Sequence, residues 1–420
     1  MNHHSANKRF WASPQLALWF LLASGVYVVL LSPAVFMIMR LSDWVKILIY
    51  LSPWIMLWPA YSWGVVNNRA CRWEILLIGA ILVLGTVNVI FSDNVHNSYE
   101  AMKFFLVSGV MSLWTSMFLL ADKDRRRLFD WFCCGCLAVY AIIDSNTYLF
   151  SGAPFLIAGT PILDLRNSFT FHSTPVGTLV ILLAAGPLSL LGAKSSKERL
   201  VGWLVLALGV FLILLTNKRG TFLAVAAMGL VWLAYRLPRW GYLLAAAFLA
   251  VVLVFTYRGM TASKSLPPDH PSRVSKLHRL ELYSYARHVF VQHPLMGIGL
   301  RPQTHEKYLA DYQLHHQEAT NFASRVKSLQ TFDNLLVTAL VELGTLMTLV
   351  YLGLILLIIG KFWRQVRPFQ ESRGRDFIRL LPLIGLAVHS LIYDTLLFPQ
   401  INWLFHVQFG LLAGYSISEP

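Results

Sequence analysis

Charge is what this sequence has least of. Only 13% of its 420 residues are charged, about half the share in an ordinary soluble domain, and the shortage excludes a simple soluble enzyme. Cysteine is scarce as well. The four present, Cys71, Cys133, Cys134 and Cys136, offer no disulfide framework, because three fall in one apolar segment and read as small helix-packing residues. Acidic residues are outnumbered, 21 Asp and Glu against 35 Lys and Arg. In a soluble chain that imbalance would suggest nucleic acid. In a chain this apolar it points to loops that fix orientation in a bilayer. Zinc-type spacing is missing around His305, His315 and His316, and Asp122-Lys123-Asp124, although spaced like a metal motif, runs into Arg125, Arg126 and Arg127 as a charged stretch.

What the chain does have is apolar sequence, 56% of the total. A bilayer core about 30 Å thick needs roughly 20 apolar residues per helix. Such stretches fall near 15–39, 44–65, 74–91, 102–120, 129–150, 174–193, 200–216, 220–235, 240–257, 333–360, 378–396 and 401–416. The predicted fold is therefore all-α, a polytopic membrane protein of about 12 transmembrane helices. The first stretch is read as a span rather than a signal peptide, since it lacks a small-x-small cleavage site and more spans follow.

With the N-terminus inside, Arg69, Arg72, Arg125 to Arg127, Lys194, Lys197, Arg199, Arg236, Arg239 and the basic run from Lys361 to Arg379 share one side. The short outside segments are poor in cations, so both termini are expected in the cytoplasm of an inner membrane. Residues 1–257 then hold nine spans, 258–332 form one large periplasmic loop, and 333–420 hold the last three. In the loop, Ser272 is a candidate N-cap for a helix running to about Gln292. At about 100° per residue, Arg273, Lys276, Arg279 and Arg287 share one arc, with Val274, Leu282, Tyr285 and Val289 opposite. Such a helix either lies on anionic headgroups or forms a cationic wall over a site for a lipid-linked phosphate.

Three segments carry residues suited to chemistry. Thr216-Asn217-Lys218-Arg219-Gly220-Thr221 places two cations in a tight turn on the side where positive charge is otherwise rare. They either snorkel to headgroups or meet an anion, for which the Arg fork and a neighbouring Lys are suited when the anion is a phosphate. The second segment runs from Glu281 through Arg287 to His293-Pro294-Leu295-Met296-Gly297-Ile298-Gly299. The third, Phe332-Asp333-Asn334, marks re-entry into the membrane and is followed by Glu342 and Gly344. An acid at such a helix start ordinarily acts as a cap. Asp144, Glu342 and Asp394 lie in or near spans, where acids are functional candidates.

Taken in order, an Arg-Gly turn, an Arg-bearing loop helix ending in His-Pro-x-x-Gly-x-Gly, and a re-entry motif with an acid and a Gly resemble the O-antigen ligase and polymerase family of bacterial envelopes. The resemblance spans roughly 160–360. Arg219-x-x-x-Leu223 resembles the first motif of the ligase branch, and Asp333-Asn334 with Gly344 its second, where the family usually has His in place of Asp333. Asn167 to His172 resembles a weaker family stretch.

The resemblance implies transfer of an O-antigen-like glycan from undecaprenyl diphosphate to an acceptor hydroxyl, lipid A-core in the ligase branch, at the periplasmic face, with inversion and without metal or cofactor. Arg219, Arg287 and Asp333 are the implied catalytic residues. Lys218, Arg279, Asn334, Arg166 and His172 are implied in binding the diphosphate and glycan. A polymerase with a carrier-linked acceptor, protein O-glycosylation, and a transporter or flippase for the lipid-linked glycan stay open as alternatives. The partners expected in every case are the carrier-linked glycan and membrane lipids, not nucleic acid.

Overall fold

A computed structural model describes residues 14–31, 71–149, 173–216, 219–237, 271–300, 306–315, 332–366, 374–394 and 398–418, with short pieces between them. The described residues are helical, apart from a two-residue antiparallel pair, Leu156–Ile157 with Thr160–Pro161. In chain order the main helices are α1 (Pro14–Gly25), α2 (Arg72–Ile90), α3 (Val95–Leu119), α4 (Lys123–Leu149), α5 (Ser173–Leu183), α6 (Ala185–Leu191), α7 (Ser196–Thr216), α8 (Arg219–Arg236), α9 (Pro271–Gln292), α10 (Glu306–His315), α11 (Leu335–Glu342), α12 (Gly344–Val366), α13 (Leu381–Ser390) and α14 (Pro399–Ser418).

Of these, α2, α3 and α12 are long and apolar enough to cross a membrane by length and composition. Shorter apolar helices accompany them, among them Val176–Leu191, Gly220–Arg236 and Ile378–Ser390. The count of about twelve spans remains a reading of hydropathy, and the spans expected near 44–65 and 240–257 lie largely outside the described residues.

The core is built around α14. Its residues 401 to 415 are all buried, which explains why its sequence is apolar on every face: a helix surrounded by other helices has no side to leave polar. Three of its buried polar side chains hydrogen-bond to neighbouring helices. Asn402 Nδ2 donates to Ser108 Oγ at 2.9 Å, Gln408 Nε2 to the Leu182 carbonyl at 2.6 Å, and His406 Nε2 lies 2.8 Å from the Tyr351 hydroxyl. Opposite Asn402 and His406, α3 widens into a π-helical segment, Phe105–Val110, and Gly109 lets the two helices close there. A π segment inside an α-helix commonly marks a functional wall, and this one borders the cavity described below.

At the far end of the bundle, two buried ion pairs tie helices together. Arg379 grips Asp130 of α4 through two contacts of 2.6 Å, with Ser189 Oγ also in reach at 3.0 Å. Lys361 meets Glu74 at 2.6 Å. Both are satisfied pairs, the form in which charge is tolerated inside a helical bundle.

Candidate functional site

The tenth span, predicted as one helix over 333–360, is two helices. The break between α11 and α12 falls at Leu343-Gly344, where Gly344 takes φ +75°. A break in an apolar helix leaves carbonyls at one end and amides at the other without partners. Here the His293–Gly299 segment supplies both. The amides of Ile298 and Gly299 donate to the Val341 and Glu342 carbonyls at 3.1 and 3.0 Å, while the Pro294 and Leu295 carbonyls accept from the amides of Thr345 and Leu346 at 2.9 and 3.2 Å. Asn88 of α2 closes the seam, its Nδ2 donating to the Met296 and Glu342 carbonyls. The Pro/Gly-rich motif is thus a clamp on the broken helix. Its glycines are needed for contact: a Cβ on Gly297 would lie 2.5 Å from the Glu342 carbonyl oxygen, and one on Gly344 would lie 2.3 Å from that of Leu295.

The loop helix α9 starts at Pro271, one residue ahead of the expected cap at Ser272. Proline tolerates the first turn because the amide it lacks would have no partner there. The predicted faces hold where the side chains are described. Leu282, Tyr285 and Val289 are buried, whereas Arg279 and Arg287 are exposed. The buried face packs with Ile298, Tyr308, Tyr312, Phe332 and Val341 into a second apolar core separate from that of the bundle. Tyr285 stacks on Phe332, ring centroids 6.0 Å apart, and meets Tyr312 edge-on at 5.5 Å. Because Phe332 is the residue before Asp333, this core sets the height at which the re-entry motif sits.

At that motif, the expected cap is corrected by one residue. Asn334, with extended backbone, caps α11: its Oδ1 accepts from the amides of Leu336 and Val337 at 3.0 and 3.2 Å. Asp333 stands outside the helix at φ +53°, the single positive-φ residue other than glycine among the described residues, in a region that Asp and Asn tolerate better than most. Its Oδ2 faces Arg279 Nε at 3.4 Å. The structure therefore brings Arg279 and Asp333 together. Arg287 lies on the same exposed side of α9, about 12 Å further along by helix rise.

The Arg-Gly turn arrives from another direction. α8 starts at Arg219, whose side chain, like Lys218, Arg166 and His172, lies outside the described residues. A Cβ on Gly220 would sit 3.5 Å from the His389 imidazole, so the start of α8 rests against the end of α13. The re-entry motif touches the same place: Asn334 Nδ2 donates to the Leu391 carbonyl at 3.1 Å. The turn after α13 thereby joins two motifs separated by more than a hundred residues in sequence. His389, buried and 3.2 Å from Thr178 Oγ1, was missed by sequence reasoning. Its only signal was a titratable side chain inside an apolar span.

Beneath this meeting point lies an apolar cavity of about 640 Å³. Leu336, Leu391, Asp394, Phe105, Tyr351 and Ile359 are among the residues that line it. Glu342 also borders it, and Asp394 and Glu342 are both almost fully buried.

Residues 204–352 match the family model described as O-Antigen ligase. That match supports the O-antigen ligase family. It covers most of α7, all of α8 to α11 and the start of α12, and so contains all three motifs. Among curated proteins compared with the chain, none matches. The O-antigen ligase segment thus supplies the clamp, the loop core and the re-entry motif, while α13, from outside the matched residues, supplies the turn that joins them.

The loop core is held to the bundle by α10. Tyr308 donates its hydroxyl to Asp93, in the turn between α2 and α3, and Lys307 approaches the same carboxylate at 3.3 Å. The Tyr308 hydrogen bond, followed by Lys307, holds Asp93 below the usual carboxylate range. A lowered carboxyl pKa stabilises the docked state above the unfolded value of about 3.9 and loses that contribution as pH falls through the folded value. Amide exchange in 306–315, taken relative to the intrinsic rate at each pH, is therefore expected to be constant from pH 8 to about 5 and to rise only near and below about pH 4. Tyr308→Phe is expected to raise it at every pH. A rise in the native protein already at pH 6 would contradict this anchor.

Proposed function

We propose that this O-antigen ligase-type membrane glycosyltransferase transfers a glycan from undecaprenyl diphosphate to an acceptor hydroxyl of lipid A-core at the periplasmic face. The observation that carries the reading is the apolar cavity lined by Leu335, Leu336 and Leu391, next to Asn334 and to the carbonyl that Asn334 hydrogen-bonds. A long polyprenyl chain needs an apolar shaft, and its diphosphate needs cations at the mouth. Arg219, Lys218, Arg279 and Arg287 are the candidates for that charge, with Arg166 and His172 as further glycan contacts.

In this reading the acceptor oxygen attacks the anomeric carbon from the side opposite the diphosphate. The bond from that carbon to the phosphate oxygen breaks, and undecaprenyl diphosphate leaves with the electron pair and takes up the proton that the acceptor hydroxyl loses. Arginines stabilise the charge that develops on it, typically the largest electrostatic contribution in such transfers. Asp333 accepts a hydrogen bond from the acceptor hydroxyl and aims it, and Asn334 holds the re-entry turn in register.

The test is profiling of lipopolysaccharide and carrier-linked glycan in a deletion strain complemented by wild type, Arg219→Ala, Arg287→Ala and Asp333→Asn. Loss of long chains from lipid A-core, with intact polymer left on the carrier, is the expected pattern in the null and in the impaired variants. Asp333→Asn keeps the shape and tolerance of positive φ while removing the charge, and should lower transfer by up to roughly a hundredfold. Single repeats on the core would make the protein a polymerase. Normal profiles in all three variants at normal protein levels would sink the assigned site and favour a transporter.

A further inference from the structure

A second cavity, of about 690 Å³, runs along the α7–α8 pair from the end away from the Arg219 turn. Both helices pack against α5, and the space between them is left unfilled. Its shaft is apolar, lined by residues such as Val180, Val210 and Val225, and its rim carries Arg199, Trp203, Trp232 and Arg236. From Arg199 to Ile213, both lining residues, α7 rises about 21 Å, longer than the ~15 Å of one leaflet of a ~30 Å hydrocarbon core.

The rim charges have no counter-charge among the described residues. Among the described residues neither Arg199 nor Arg236 meets a carboxylate, and the adjacent Glu198 is taken by Arg127. Arg236 instead lies over the Trp232 ring, 5.6 Å from its centroid, and both tryptophans are exposed, as residues of a membrane interface are. Gly229 faces the shaft, and a Cβ there would meet nothing within 4 Å. A glycine inside a helix costs about 1 kcal/mol relative to alanine, and no neighbouring helix uses the room it leaves.

We infer that this groove binds one anionic phospholipid, with an acyl chain between α7 and α8 and its phosphate against Arg199 and Arg236. The groove belongs to the cation-rich face of the membrane, where anionic headgroups are attracted to basic residues, and is independent of the donor site proposed above. An apolar shaft as long as a leaflet, ending in two arginines and two interfacial tryptophans, fits a diacyl lipid with a phosphodiester headgroup. A zwitterionic headgroup would bring its own cation to the two arginines.

Native mass spectrometry of the full-length protein in detergent, titrated with phosphatidylglycerol or phosphatidylcholine, tests this. One tightly retained equivalent of phosphatidylglycerol, and none of phosphatidylcholine, is expected. The Arg199→Gln/Arg236→Gln double variant should bind roughly thirtyfold more weakly, the scale of two cations at an anionic headgroup. Gly229→Leu should abolish retention while leaving both arginines in place, with an unfolding temperature in detergent at or above that of wild type because helix propensity improves. Lys197→Gln, on the same face but not lining the groove, should bind as wild type. Equal retention of both lipids, wild-type binding by Gly229→Leu, or a dimer that this substitution dissociates would each overturn the proposal.

Discussion

Gly344→Ala is expected to leave little correctly folded, active protein. The new Cβ would lie 2.3 Å from the Leu295 carbonyl oxygen and 2.4 Å from the Met296 carbonyl carbon. These are backbone atoms, which cannot swing aside as a side chain can. The residue would also be held at φ +75°, a conformation costing an L-residue about 1–2 kcal/mol. Overpacking adds about 1–3 kcal/mol, so the change removes a large part of an ordinary stability margin. Relief would require the His293–Gly299 clamp to withdraw from the break, freeing the amides of Thr345 and Leu346 from Pro294 and Leu295. Gly353→Ala and Gly360→Ala provide the control. Both lie in the same helix, neither has positive φ, and a Cβ at either meets nothing within 4 Å, so each should be neutral or stabilising by up to about 1 kcal/mol. Thermal unfolding of the purified protein in detergent reads the difference. A Gly344→Ala variant as stable as Gly360→Ala would disprove the clamp.

Arg219→Ala should cost transfer activity without costing fold. If the guanidinium meets charge developing on the departing diphosphate, its removal is expected to slow turnover by roughly 10²–10³, the range found when one preorganised donor to a developing anion is lost. Arg219→Lys keeps a charge but not the planar fork, and should recover part of the rate, not all. The discriminating measurement is a rate with saturating carrier-linked glycan, compared at equal amounts of folded protein. A purely structural Arg219 would lower protein level or unfolding temperature and leave the rate per folded molecule alone. Full activity in the Lys variant would mean that a point charge suffices and the fork has no role.

Much of this could be read without coordinates, for physical reasons. The scarcity of charge and the length of the apolar stretches are consequences of a hydrocarbon solvent, so they appear in sequence directly. The two faces of α9 follow from the 100° turn per residue, and Leu282, Tyr285 and Val289 fall inward while Arg279 and Arg287 fall outward. The three motifs were legible as unusual residues for their places in the chain.

What sequence could not decide was anything set by partners distant along the chain. The break at Leu343-Gly344 has no hydropathy signature, because both halves are apolar; it exists because the Pro294 and Leu295 carbonyls and the Ile298 and Gly299 amides are there to satisfy it. That Asn334 caps α11 while Asp333 stands outside it depends on backbone angles at one turn. The junction of Gly220, His389, Leu391 and Asn334 joins segments that only packing brings together. Composition and periodicity determined that this chain lives in a membrane and where its unusual charges lie; tertiary structure decided which of them meet, because hydrogen bonds at a helix break and contacts between helices are made across sequence rather than along it.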